Sequence, residues 1–131
     1  MEITKLTLQT ALVHSWSRQT SSTPEEWSKA NKSRGQCVPS SLVVQDYFGG
    51  ELQKLITVFN GKKESHYRNI LDDGSVLDVC RSQYPADQIL HIDIIDLKDF
   101  ISVRQKLLSD QSTLRRYLLL KKRIEKYRDV N

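Results

Sequence analysis

The sequence has 131 residues and a net charge of +4, with 38% hydrophobic and 27% charged residues. This length suits a single domain, residues 1–131, which at such a size needs neither a metal nor disulfides to fold. The apolar runs fall far short of the roughly 20 residues of a membrane span. No charged and apolar leader follows Met1, so we expect a cytoplasmic protein without membrane contact. Its two cysteines are then expected to be free thiols.

The first part of the sequence is predicted to be helical. Apolar residues recur at helical spacing over 3–18. A second helix start is predicted at Thr23, with Pro24 as its first residue and Glu26 completing a capping box. A further helix is predicted over 37–48, because proline is tolerated only in a first turn and the glycines at 49 and 50 can end a helix.

The period then changes to that of strands. Apolar, β-branched and aromatic residues predict strands at 52–59, 66–71, 76–79 and 89–94, with turns at Asn60-Gly61 and Asp72-Asp73-Gly74. Two helices are predicted to follow, over 97–108 and 113–128. This order predicts an α+β fold in which an antiparallel sheet packs with N-terminal and C-terminal helices.

Cys37 is the first candidate for a functional side chain, because the helix over 37–48 places it at the helix start. A helix N-terminus offers unpaired N–H groups and a positive dipole, which favour a thiolate and an oxyanion formed on an attacked carbonyl. Gln36 could add a side-chain amide to such an oxyanion hole, and Gly35 could let substrate backbone approach closely. The alternative is a buried cysteine that serves as a small hydrophobic residue.

A thiol nucleophile needs a base and a group that orients the base, and the second hairpin offers both. His66 lies on its first strand and Asp78 on its second. A three-residue loop with Gly74 left-handed places Arg68 opposite Asp78 and His66 diagonally beside it on one face. A two-residue turn would put His66 and Asp78 on opposite faces, and Asp78 could instead pair with an arginine.

Two stretches of this sequence resemble the YunG-like family of small bacterial proteins. They are Gly35-Gln36-Cys37 and the segment from Ser41 to Leu52 with its Gly49-Gly50 pair. Further matches are spread over most of the chain: Ser15-Trp16-Ser17, Trp27, Ser65-His66-Tyr67, Asp73-Gly74, Asp78, Gln83 and Arg116-Tyr117. The resemblance implies one compact domain but no activity. The order of cysteine on a helix, histidine on a strand and aspartate on the next strand is similar to papain-like and transglutaminase-like enzymes.

These observations predict a hydrolase or acyltransferase that attacks an amide, ester or thioester through Cys37, His66 and Asp78. Gln36, Gly35, Trp16 and Tyr67 are expected to line the site, and the substrate could be a peptide, a protein or a small acyl compound. No cofactor is expected, and no metal site, because the cysteines and histidines lack the spacing of metal ligands.

Two alternatives come from other classes of protein. The first is a catalytically inactive binding or regulatory module on the same scaffold, with aromatic residues lining a groove. The second is binding of nucleic acid or an acidic partner through the last helix, where residues 113–131 hold seven basic and two acidic residues. In that helix Leu114, Tyr117, Leu118, Lys121 and Ile124 are expected to form one mainly apolar face. A solvated amphipathic helix explains the same charge, so nucleic acid is the less expected partner.

Overall fold

The computed structural model describes residues 2–131 as an α+β fold. Its helices are α1 (Lys5–Ser15), α2 (Cys37–Phe48), α3 (Val103–Leu108) and α4 (Gln111–Val130). Its strands are β1 (Glu51–Phe59), β2 (Lys62–Ile70), β3 (Val76–Leu77) and β4 (His91–Ile92). Single 3₁₀ turns lie at Arg18–Thr20, Pro24–Glu26 and Arg81–Gln83. Within this range no helix is long and apolar enough to cross a membrane.

The four strands form an antiparallel sheet in the order β3-β2-β1-β4. The β1–β2 hairpin turns at Asn60 and Gly61, whose φ angles of 52° and 77° are those of a primed two-residue turn. Strand β2 is longer than predicted. Its first residues are charged and follow no apolar pattern, but they form strand because they pair regularly with β1. The outer strands β3 and β4 are shorter than predicted.

The hydrophobic core lies between one face of the sheet and helices α1, α2 and α4. Its buried members come from all of these elements: Leu8, Leu12 and Trp16, Leu42 and Val43, Leu52 and Tyr67, Leu120 and Ile124. Helix α2 has the bounds that the sequence predicts, and Gly49 ends it with φ +70°. The core therefore fixes the position of the α2 N-terminus, where Cys37 is the first helical residue.

The opposite face of the sheet is covered by the chain that follows β3. The Thr57 hydroxyl donates to Ile89 O at 2.6 Å, and the Tyr84 ring packs edge-on against Phe59 at 5.1 Å. Residues alternate between the two faces along a strand, so His66 lies on this face while Tyr67 lies in the helical core. His66 is thus enclosed by the segment that contains Arg81–Gln83 and Tyr84.

Two helical predictions near the ends of the chain need correction. Thr23 precedes only the 3₁₀ turn Pro24–Glu26 and makes no side-chain capping bond. Glu26 pairs with Arg34 at 2.9 Å and does not complete a capping box. The predicted helix over 97–108 begins at Val103, with the Ser102 hydroxyl as its N-cap.

The apolar face predicted for the last helix is also wrong in part. Leu114 and Leu118 are 37% and 52% exposed, whereas Tyr117, Leu120 and Ile124 are buried against α1 and α2. Of the three consecutive leucines at 118–120, only Leu120 is buried. This run therefore does not show in the sequence which side of the helix faces the core.

Candidate active site

His66 and Asp78 are joined directly. Both carboxylate oxygens of Asp78 lie near His66 Nε2, at 2.9 and 2.8 Å. The hairpin pairs Asn69 with Leu77 and Ile70 with Val76, and the loop 72–74 has Gly74 at φ +84°. This is the three-residue loop that a His66–Asp78 contact requires, and it forms because glycine adopts the left-handed conformation without strain. Asp78 itself lies just beyond β3.

The His66 ring is completely buried, and the Asp78 side chain is 14% exposed. Burial lowers the pKa of His66, but the hydrogen bond to Asp78 and the negative charges of Cys37 and Asp78 raise it to about 9. An opposite charge at hydrogen-bond distance in a dry environment has this effect because water screens it little.

Cys37 occupies the open end of helix α2. No side chain caps this end, and the first backbone hydrogen bond runs from Ser40 N–H to Gln36 O at 3.0 Å. The N–H groups of Cys37 and Val38 precede that bond, and Pro39 has no N–H. The charge of Cys37 also contributes, after burial, to raising the pKa of Tyr67 to about 12.

Strand β3 covers only one end of the β2 edge. It pairs only with Asn69 and Ile70, so the β2 edge next to His66 is not covered by β3. The chain before α2 packs against the segment after β3: Asn31 Nδ2 donates to Gln83 O at 3.0 Å, and the Ser33 and Ser82 hydroxyls are 2.9 Å apart. The segment 31–36, which we call the cysteine loop, is thereby held against the segment that covers His66.

A buried arginine anchors the cysteine loop to the sheet. The Arg34 guanidinium donates to Glu64 at 2.7 and 3.0 Å and to Glu26 at 2.9 Å. Tyr84 donates its hydroxyl to the same Glu64 at 2.9 Å, and burial followed by the Glu64 charge raises the pKa of that phenol. Arg34, Glu64 and Tyr84 were not apparent from the sequence, since the contact between them depends on tertiary packing.

Gln83 is the other residue that sequence reasoning missed as part of the site. Its Nε2 lies 3.1 Å from His66 Nδ1, and its Oε1 accepts from Arg34 Nη1 at 3.0 Å and from Gly35 N–H at 3.2 Å. The one sequence signal for it is its place in the family resemblance.

The structure gives the four predicted lining residues other surroundings than expected. The Gln36 amide nitrogen donates to Ser17 O at 2.9 Å and the residue is fully buried, so this group is engaged away from any oxyanion. The space next to Gly35 is filled by this chain and not by substrate: a Cβ there would lie 2.3 Å from Ser21 Oγ.

Trp16 and Tyr67 are core residues that border different grooves. Trp16 donates from Nε1 to Ser40 Oγ at 2.9 Å and lines a groove of about 270 Å³ with the cysteine loop. Tyr67 lines one of about 220 Å³ with Lys54 and Lys106.

The two cysteines are free thiols in different environments. Cys80 is completely buried, and burial followed by the charge of Cys37 raises its pKa. Among residues 2–131 no group of three or more His, Cys, Asp or Glu side chains is placed to hold a metal ion.

Comparison with known proteins establishes the family. The model of the family described as "YunG protein" matches residues 4–129, so this chain belongs to the YunG family. It is similar to "Uncharacterized protein YunG" of Bacillus subtilis (strain 168), with 36% identity over 77 residues. That match spans 57% of this chain and 58% of the relative's length. No solved structure matches this chain.

Proposed function

We propose that this protein is a cysteine-dependent hydrolase or acyltransferase that acts on an amide, ester or thioester. Cys37 is the nucleophile and His66 is the base. Asp78 orients the imidazole and favours its protonated form. The observation that carries this proposal is the contact of Asp78 with His66 Nε2 at 2.8 Å. The other ring nitrogen, Nδ1, is 3.1 Å from Gln83 Nε2, and it takes the Cys37 proton when that hydrogen bond opens. A cysteine helix beside a histidine–aspartate hairpin is also the arrangement of papain-like and transglutaminase-like enzymes, and we extend that likeness to this chain.

The reaction proceeds in two stages. Cys37 Sγ attacks the carbonyl carbon while its proton moves to His66 Nδ1, and the oxyanion accepts hydrogen bonds from the N–H groups of Cys37 and Val38. The carbon–heteroatom bond then breaks, the leaving group takes the proton from His66, and an acyl-cysteine remains. In the second stage water or another acceptor gives its proton to His66, attacks the acyl carbon and releases the thiol.

The raised pKa of His66 supports its role as the group that holds the Cys37 proton. Its value of about 9 reflects a site that favours the imidazolium, which forms when the thiol is deprotonated. Proton transfer from Cys37 to His66 creates a positive charge on the imidazole. The negative charge of Asp78 stabilises that positive charge, which an apolar pocket would not do.

The experiment is acyl transfer to the protein from a panel of activated esters and thioesters, followed by mass spectrometry of the peptides. The proposal predicts one acyl group on the Cys37 peptide, its turnover by water or an added amine, and no adduct in Cys37→Ala. Cys80→Ala is the matched control and should keep the adduct, since Cys80 is fully buried and has no surface on which to react. Adducts that are absent or that do not depend on Cys37 would refute the proposal.

One observation favours a second function, that of a binding or regulatory module on the same scaffold. Cys37 is only 7% exposed and His66 is not exposed at all, which is tight for an enzyme that must admit a carbonyl group. A module of this kind would bind a partner without forming an acyl-cysteine. The same acylation experiment separates the two functions, because only the enzyme leaves an adduct on Cys37.

A further inference from the structure

Both the oxygen and the nitrogen of the Gln83 side-chain amide have hydrogen-bond partners, and this restricts the protonation state of His66. The residue is 3% exposed, so water does not replace its partners. Its oxygen accepts from two donors, Arg34 Nη1 at 3.0 Å and Gly35 N–H at 3.2 Å. Its nitrogen is 3.1 Å from His66 Nδ1.

The amide can adopt only one of its two orientations. If it were turned over, its NH₂ group would face the N–H donors of Arg34 and Gly35, and neither contact could be a hydrogen bond. Arg34 cannot move away freely, because Glu64 and Glu26 bind it at 2.7 and 2.9 Å. The Gln83 nitrogen is therefore the atom next to the imidazole, and it can only donate.

A donor at Nδ1 requires a lone pair on that nitrogen. Asp78 accepts at Nε2 from the opposite side of the ring, so the two neighbours select the same neutral tautomer, with the proton on Nε2. The two neighbours have opposite effects on the addition of a second proton to the ring. The negative charge of Asp78 favours the imidazolium. Gln83 disfavours it, because a proton on Nδ1 would face the N–H of Gln83.

We propose that Gln83 is a positioning residue for His66: it fixes the proton of the neutral ring on Nε2, and so limits how readily the ring takes a second proton on Nδ1. The role of the ring as a base rests on the proposed function, but the protonation state itself does not. During proton transfer the Cys37 proton binds the Nδ1 lone pair and the hydrogen bond from Gln83 is lost. The imidazolium keeps its bond to Asp78.

Other charged or titratable groups near His66 come from several elements. Cys37 approaches from α2 and Asp78 from the chain after β3. Tyr84 packs edge-on against the ring at 5.4 Å and donates its hydroxyl to Glu64. Arg34 reaches the ring only through Gln83. Of these groups, Gln83 is the one whose polarity at Nδ1 can be reversed without a change of shape.

The test is a titration of the His66 ring by ¹⁵N NMR in the full chain, with wild type, Gln83→Glu and Gln53→Glu. In wild type the neutral ring should show an unprotonated Nδ1 and a protonated Nε2. Gln83→Glu replaces the donor by an acceptor and should raise the titration midpoint by at least about one pH unit, a tenfold gain in proton affinity. Gln53→Glu is the matched control: the Gln53 oxygen also accepts from an arginine, Arg68, at 2.7 Å, but the residue does not contact His66.

The outcomes separate this inference from the proposed function. A wild-type neutral ring with its proton on Nδ1 would overturn the inference, as would equal midpoints in Gln83→Glu and Gln53→Glu. If the midpoint rises in Gln83→Glu and Cys37 forms no acyl adduct in wild type, the inference stands and the proposed function fails.

Discussion

Replacement of Asp78 by asparagine removes a charge from the site and keeps the shape of the side chain. Asparagine has the same shape, and its oxygen can still accept from His66 Nε2–H. In the wild type both carboxylate oxygens lie within 2.9 Å of that nitrogen, and the His66 side chain has no exposed surface. The substitution therefore tests the charge and not the packing.

The size of the effect follows from this geometry. An opposite charge at such a distance raises the pKa of a histidine by about 1 to 3 units. Without it, the pKa of His66 should fall by that amount from about 9. Each unit is a factor of about ten in proton affinity, so transfer of the Cys37 proton to His66 becomes at least about tenfold less favourable. At pH 7 the free energy of unfolding should fall by about 1 to 3 kcal/mol, because each unit lost from the pKa of His66 removes up to about 1.4 kcal/mol of the stability that its protonation contributes.

The assay is the rate of iodoacetamide alkylation of Cys37 at pH 7, followed by mass spectrometry, with thermal unfolding as a check of the fold. Asp78→Asn should react at least about tenfold more slowly than wild type, a loss that matches the fall in proton affinity. Asp73→Asn, in the loop of the same hairpin, is the control and should react like wild type, because its carboxylate bonds only to Ser75. Equal rates in wild type and Asp78→Asn would refute the reasoning.

Two further predictions concern stability. Because the pKa of His66 is raised from 6.5 to about 9, its protonation stabilises the fold fully below pH 6.5, and this contribution is lost as the pH rises through 9. It amounts to at most about 3 kcal/mol. Denaturant unfolding at pH 6 and pH 10 should show this loss in wild type and not in His66→Gln; the same pH dependence in both would exclude His66 as its source. Gly35→Ala should destabilise the protein by more than about 3 kcal/mol, since its Cβ would clash at 2.3 Å and φ is +75°. Gly61→Ala, with a φ of +77° and nothing within 4 Å, should cost only about 1 kcal/mol; equal losses of melting temperature would contradict the role of the clash.

Local signals in the sequence were sufficient for the elements that carry the site. Proline at position 39 and the glycines after Phe48 determine the bounds of α2, and the Asp72-Asp73-Gly74 loop determines the hairpin register. Both depend on backbone conformations that particular residues favour over a few positions. The contact of His66 with Asp78 follows from that register.

The surroundings of the site could not be derived in the same way. Gly35 and Gln36 look like substrate-facing residues beside a nucleophile, yet Ser21 and Ser17 from a distant segment occupy their contacts. Gln83 meets His66 across 17 positions of sequence. Such contacts arise from how the cysteine loop packs against the chain after β3, and no periodic pattern records that packing.

The central claim is that His66 activates Cys37, and the alkylation rate of Cys37 at pH 7 in wild type and His66→Gln tests it most directly. The account predicts that Cys37 reacts at least about tenfold faster in wild type. His91→Gln, which changes an exposed histidine on β4, should leave the rate unchanged. If Cys37 reacts equally in wild type and in His66→Gln, with both folded, the thiol is not activated by His66 and the account is wrong.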